Sequence, residues 1–161
     1  MGAATAEARV LLSQKAALAL AFPSGAPERR TAFLTDEQVL IAEKAAQSKL
    51  DSKIWTYYAD GSTTAYFESH LVRTMNETII VVVGADAKVR FVEVLSFDEP
   101  DDYLASKRWL KQFEEKPLDR DLALRRGLRN IAGATLTAEA VSRGVRRVLA
   151  VHQILNAKPA R

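Results

Sequence analysis

The apolar positions along this chain change period as it proceeds. Val10, Leu11, Ala17, Leu18 and Ala21 recur at three- to four-residue spacing and are followed by Pro23, which predicts a short N-terminal helix. Residues 23–30, Pro-Ser-Gly-Ala-Pro-Glu-Arg-Arg, read as a loop. A second helix is signalled from Thr35 to about Ser48. Thr35 and Gln38 have the spacing of a capping box, Leu34 and Val39 that of a hydrophobic staple, and Val39, Ala42 and Ala46 form its inner face.

From Ile54 the period becomes two. Segments 54–58, 63–72, 78–83 and 89–97 predict four short strands, with turns at Asp60-Gly61 and at Gly84-Ala85-Asp86-Ala87. Tight connections make this an antiparallel meander. The run 79–83 is apolar on both faces, so it is expected to be the central strand, covered by helices on one side and a further layer on the other.

Beyond Phe97 the strand pattern stops at an acidic loop, Asp98-Glu99-Pro100-Asp101-Asp102. A helix is expected over 103–114, with Leu104, Trp109, Leu110 and Phe113 as its apolar set, and another over 119–127. The longest is predicted over 136–156. Val141, Val145, Val148, His152 and Leu155 form its stripe, with Arg143, Arg146 and Arg147 on a solvated opposite side that can dock an acidic redox partner. The fold class expected is α+β: a four-stranded, mostly antiparallel sheet packed with helices. The expected division is an N-terminal helix and linker (1–24), one domain (25–156) and a tail (157–161).

Composition narrows the function classes. The chain has 161 residues and no cysteine, which excludes disulfides, thiolate zinc sites and iron–sulfur ligation. With 48% hydrophobic and 27% charged residues it is not a disordered chain. A net charge of +3 gives no reason to expect nucleic acid as a partner. The longest uncharged run, between Lys15 and Glu28, spans twelve residues with two prolines, whereas a membrane span needs about 20. The same run does not make a signal peptide, because Glu7 precedes it and its apolar core is short. Met1-Gly2 and the small residues after it read as a replacement for a removed leader that would have carried the compartment signal.

The stretch with candidate chemistry is Arg129-Asn130-Ile131-Ala132-Gly133-Ala134-Thr135-Leu136-Thr137, which passes from loop into the start of the last helix. A helix N-terminus presents free N–H groups and the positive end of its dipole, which suits a phosphate. Gly133 and Ala134 permit close approach of a ligand to the backbone, and Thr135 and Thr137 add hydroxyls. The plain alternative is that Thr135 is an N-cap worth about 1 kcal/mol.

Gly133-Ala134-Thr135-Leu136-Thr137, followed by an Ala/Val-rich helix, resembles the S-G-A-T-[LI]-[ST] signature of the FMN-binding domain family. That family comprises covalently flavinylated, extracytoplasmic electron carriers. It includes the C subunit of sodium-pumping NADH:quinone reductase and the G subunit of the Rnf complex. Glu99-Pro100 falls where relatives carry an E-T-P-G loop. Leu71-Val72-Arg73-Thr74-Met75, Trp109-Leu110-Lys111-Gln112-Phe113 and Arg146-Arg147-Val148-Leu149-Ala150 are similar to stretches of small single-domain members. The resemblance covers roughly 25–156.

It implies an electron-transfer protein whose FMN is joined by a phosphoester to Thr135 through a separate flavin transferase. It also implies a membrane or soluble redox partner and a periplasmic or otherwise extracytoplasmic location. The cofactor-binding residues it implies are Gly133, Ala134, Thr135, Leu136, Thr137, Glu99 and Pro100. The chain departs from the extended motif D-x-x-[ST]-G-A-T, with Arg129 in place of the aspartate and Ala132 in place of the serine, and Asp101 stands where the loop glycine would be. Arg129 is expected to offset the loss by pairing with the phosphate bidentately. Two other readings stand beside this one: a noncovalent FMN oxidoreductase with its own substrate, and a flavin-free interaction module of the same fold.

The remaining conspicuous residues have plain readings. His152 lies on the apolar stripe as a core or boundary residue, and His70 reads as a strand histidine or as a residue facing the flavin. Trp55, Tyr57 and Tyr58 read as packing. The 98–102 loop caps the following helix, binds a cation or borders the cofactor. Ser69 and Ser142 lack the base and acid a nucleophile needs.

Overall fold

The computed structural model describes residues 9–157; Met1-Gly2 and the last four residues of the expected tail lie outside them. Nine main elements follow in chain order: α1 (Gln14–Ala21), β1 (Glu28–Phe33), α2 (Asp36–Ala46), β2 (Ile54–Ala59), β3 (Thr63–Leu71), β4 (Asn76–Gly84), β5 (Val89–Phe97), α3 (Lys107–Leu110) and α4 (Thr135–Leu155). The α+β class and the antiparallel pairing agree with the pattern. The sheet has five strands rather than four, in the order β1-β2-β3-β4-β5.

The additional strand is β1, which overlaps the segment read as a loop. It pairs with β2 from Glu28↔Ala59 to Phe33↔Ile54. Its residues are exposed on both faces apart from half-buried Ala32. No buried face selects apolar residues there, so the alternation by which a strand is recognised is missing. β4 is apolar on both sides as expected, but β3 is the middle strand. α4 covers one face of β4, where Ile79, Val81 and Val83 meet Ala138, Val141, Val145 and Val148. α1 covers the other, where Ala17 and Ala21 meet Ala65, Ile80, Val82 and Leu95.

Both helices expected before the strands form, with trimmed ends. In α2 the Thr35 hydroxyl accepts from the Gln38 N–H at 3.1 Å and Gln38 Oε1 accepts from the Thr35 N–H at 3.0 Å, completing the capping box. Ala42 and Ala46 are buried against Ala150 and Val151 of α4. α1 starts later than the periodicity suggests. Val10 and Leu11 lie outside it and run beside β5, where the N–H groups of Leu11 and Leu12 donate to the Leu95 carbonyl at 2.7 and 3.1 Å. The open backbone edge of β5 competes successfully for residues that would otherwise extend the helix.

The connection from β5 to α4 is less helical than expected. Segment 103–114 breaks into a 3₁₀ turn (Asp101–Tyr103), the single turn of α3, and a second 3₁₀ turn (Lys111–Phe113). Segment 119–127 is not a helix but a series of turns closed by Gly127 N–H donating to the Asp121 carbonyl at 2.8 Å. Arg146, expected on a solvated face, supplies what these turns lack. Its guanidinium is buried and donates to the carbonyls of Asp119 (3.0 Å), Leu122 (2.9 Å), Ala46 (2.8 Å) and Ala45 (3.2 Å). One side chain thus satisfies both the C-terminus of α2 and the irregular loop. Arg143 alone of the three stays exposed, 4.0 Å from Glu139.

Candidate functional site

The start of α4 is built by a turn in which the Ala134 N–H donates to the Ile131 carbonyl at 3.0 Å. Gly133 sits at φ +76°, a left-handed conformation that a side chain would strain, and space is open on its Cβ side. Ala134 occupies the N-cap position with no side-chain cap. The first N–H groups of a 21-residue helix therefore have no capping partner, and its dipole adds to their positive potential.

The two candidate threonines have different surroundings. Thr135 is exposed, and its Oγ1 accepts a hydrogen bond from Asn130 Nδ2 at 2.8 Å. Thr137 is 1% exposed, and its hydroxyl donates to the Tyr103 carbonyl at 2.6 Å. Thr137 thereby anchors the 3₁₀ turn to α4, while the Thr135 hydroxyl remains accessible.

A cavity of about 340 Å³ opens beside them. One wall is Gly133 to Thr137, including the half-exposed Leu136; the others come from Val72 and Arg73 after β3, Glu99 after β5, and Tyr103. Glu99 has a definite structural task. Its Oε1 accepts from the N–H groups of Thr74 (2.9 Å) and Met75 (3.0 Å). These bonds, that from Thr74 foremost, hold its carboxyl below the usual range. They fasten the β3–β4 turn, itself closed by Val72 N–H to the Met75 carbonyl at 3.0 Å, and so bring Val72 and Arg73 to the cavity. Pro100 is exposed, begins the 3₁₀ turn and does not line the cavity. Asp101 pairs with Arg9. Among the described residues no three His, Asp or Glu side chains converge as a metal site.

Arg129 and Ala132 are not among the cavity-lining residues. Arg129 lines a neighbouring cleft with Ser106, Arg108, Trp109, Gln112 and Asn130. Its carbonyl accepts from Trp109 Nε1 at 2.6 Å and its N–H donates to Gln112 Oε1 at 2.8 Å, which fixes it against the α3 side. Arg129 thus belongs to this cleft rather than to the wall of the cavity. Sequence reasoning did not single out Tyr103 or assign Asn130 a role. No motif marks a residue whose relevance is set by a neighbour 34 positions away, as with Tyr103 and Thr137.

His70 faces neither the cavity nor solvent. It is part of a buried chain of charges between the sheet and α4. Its Nδ1 is 2.5 Å from Glu68 Oε2 and its Nε2 is 2.8 Å from Glu77 Oε2. Arg147 Nε and Nη2 donate to Glu68 Oε1 at 3.0 and 2.5 Å, and its Nη1 donates to Ser48. Arg147 is thus a second arginine withdrawn from the expected solvated face. Burial by itself lowers the His70 pKa, but the hydrogen bonds to Glu68 and Glu77 and their charges override it and push it up to about 9. Burial raises Glu77, which is fully buried and has one carboxyl oxygen without a hydrogen-bond partner. His152, as expected, is a core residue: burial lowers its pKa, and its Nδ1 is 2.9 Å from the Tyr66 hydroxyl.

The raised His70 pKa has a testable sign. The imidazolium's contribution is complete below about pH 6.5, the unperturbed value, and is lost as pH rises through about 9. The difference in melting temperature between wild type and His70→Gln is expected to shrink over that interval. A constant difference up to pH 10 would show that His70 is already neutral in the folded protein.

Comparison with known proteins finds no matching family model, no similar curated protein and no similar solved structure.

Proposed function

We propose that this protein is an electron carrier whose cavity holds FMN, with the FMN phosphate joined to Thr135. The observation that carries this reading is the convergence at one cavity of an exposed Thr135 hydroxyl, an uncapped helix N-terminus and an open left-handed glycine. An uncapped helix N-terminus suits a phosphate group, and the open glycine lets one approach the backbone. Gly133, Ala134 and the Thr135 backbone would hold the phosphate, while Val72, Leu136 and Tyr103 offer surfaces to a flat ring and Arg73 a positive charge. FMN when bound supplies the capacity to accept and release one or two electrons. The chain's own residues fix, cover and electrostatically bias it. The protein would receive FMN from a flavin transferase and exchange electrons, outside the cytoplasm, with a membrane or soluble redox protein.

The test is intact mass after denaturation of protein made together with a flavin transferase. A mass gain equal to one flavin phosphoester is expected. Yellow protein that loses its colour on unfolding would instead identify a noncovalent flavoprotein with its own substrate. Colourless protein would point to an interaction module.

A second expectation concerns Glu99. Glutamine retains an oxygen to accept the Thr74 and Met75 N–H groups, so Glu99→Gln removes charge while keeping the turn. A negative charge beside the ring disfavours added electrons. A redox titration should give an upward shift in potential for Glu99→Gln, larger than for Asp102→Asn, which does not line the cavity. Equal potentials in both variants and wild type would remove Glu99 from the ring's surroundings.

A further inference from the structure

We infer that Asn130 is the positioning residue for the Thr135 hydroxyl, an inference that rests on Thr135 being the flavin attachment point. Asn130 Nδ2 donates to Thr135 Oγ1 at 2.8 Å. The segment delivering it is held from outside. Trp109 Nε1 and Gln112 Oε1 grip the two backbone groups of Arg129, and the Ile131 carbonyl closes the turn into Ala134. Asn130 thus stands between the cleft on the α3 side and the hydroxyl at the cavity.

The direction of this hydrogen bond matters chemically. The amide N–H engages one lone pair of Oγ1 and fixes the hydroxyl. The second lone pair and the hydroxyl hydrogen remain free. Joining a phosphate monoester to an alcohol in water is uphill, so the donor must be a phosphoanhydride, a flavin dinucleotide. The Thr135 Oγ1–phosphorus bond forms, the anhydride phosphorus–oxygen bond breaks, and the mononucleotide leaves. The hydroxyl proton passes to a base of the transferase or of solvent. Asn130 cannot take that proton, since a neutral amide is not a base. It orients the nucleophile and does nothing else in the step.

The inference is separable from flavin binding. A residue that only orients the hydroxyl changes the rate of attachment and not the grip on free FMN. The experiment follows the incorporation of flavin into purified protein by intact mass, with a flavin transferase and flavin adenine dinucleotide. Asn130→Ala is expected to slow incorporation about 10- to 100-fold, the scale of a misplaced reacting group. In a Thr135→Val background the same substitution should leave noncovalent retention of FMN unchanged. Asn130→Asp keeps the side-chain length but replaces the N–H donor with an oxygen that, when ionised, can only accept. It should be about as slow as Asn130→Ala wherever the carboxylate is ionised. Incorporation at the wild-type rate in Asn130→Ala would overturn the inference while leaving Thr135 as the attachment point. So would wild-type incorporation by Asn130→Asp with its carboxylate ionised, or a loss of FMN retention in the Thr135→Val background. Absence of covalent flavin in the wild type would remove the reading of Thr135 and this inference together.

Discussion

Replacing Glu68 with alanine is expected to destabilise the protein by about 3–5 kcal/mol, because it strands two buried cations. Glu68 is 6% exposed and places one oxygen against Arg147 and the other against His70. Without it Arg147 keeps only Ser48 as a side-chain partner, and His70 keeps only Glu77. At about 2–4 °C per kcal/mol for a chain of this size, the melting temperature should drop by roughly 6–20 °C. Glu68→Gln retains an acceptor for Arg147 but not the charge, and should fall between. Gly144 provides a cross-check. A Cβ there would lie 2.5 Å from Glu68 Oε2 and 3.1 Å from His70 Nδ1, so Gly144→Ala should be costly in the wild type. In the Glu68→Ala background much of that cost should vanish, a non-additivity that a double-mutant cycle measures. A loss below about 1 kcal/mol for Glu68→Ala, in the range of surface pairs, would show that the cluster is hydrated rather than closed.

The second large effect concerns the two threonines. Thr135→Val preserves shape and removes the accessible hydroxyl, and it should abolish any flavin that survives denaturation. Thr137→Val should leave the covalent flavin in place. Its hydroxyl is already committed to the Tyr103 carbonyl, so its loss registers as stability: about 1–3 kcal/mol for a carbonyl left without its donor. Intact mass and thermal melts on the two variants give opposite patterns. Loss of the covalent flavin in Thr137→Val and its retention in Thr135→Val would place the attachment at the other threonine.

How much of this could be read in advance differs by element. α2 was legible because its start signal is local: a capping box needs only four consecutive residues. The stripe of α4 and the strand character of β3 and β5 were legible because their apolar residues are buried, Val141, Val145 and Val148 against the sheet and the strand residues in the clusters on its two sides. β1 was not, since neither of its faces is buried. The 103–127 stretch carries apolar residues at helical spacing, yet its backbone groups find partners elsewhere, in Arg146 and in their own turns, so periodicity misjudged it. At the candidate site, 133–137 was legible as a helix start with small residues and hydroxyls. The roles of Arg73 and Tyr103 were not, because each is set by a neighbour on another segment, and that of Asn130 was not, because only the folded turn brings its amide to Thr135.

The order of apolar and polar residues was enough to determine an α+β chain, an antiparallel meander and a long final helix beginning at a glycine and two threonines, because these properties depend on burial of one face and on caps a few residues long. Tertiary structure alone decided which threonine is free, that Glu99 holds a turn, and that Arg146 and Arg147 are buried rather than solvated. Those outcomes depend on which distant backbone carbonyls and carboxylates each side chain meets. An arginine on the polar side of a helix has the same local pattern whether water or an unsatisfied carbonyl waits there; only the packing of α2, the 119–127 turns and β3 against α4 supplies the partner.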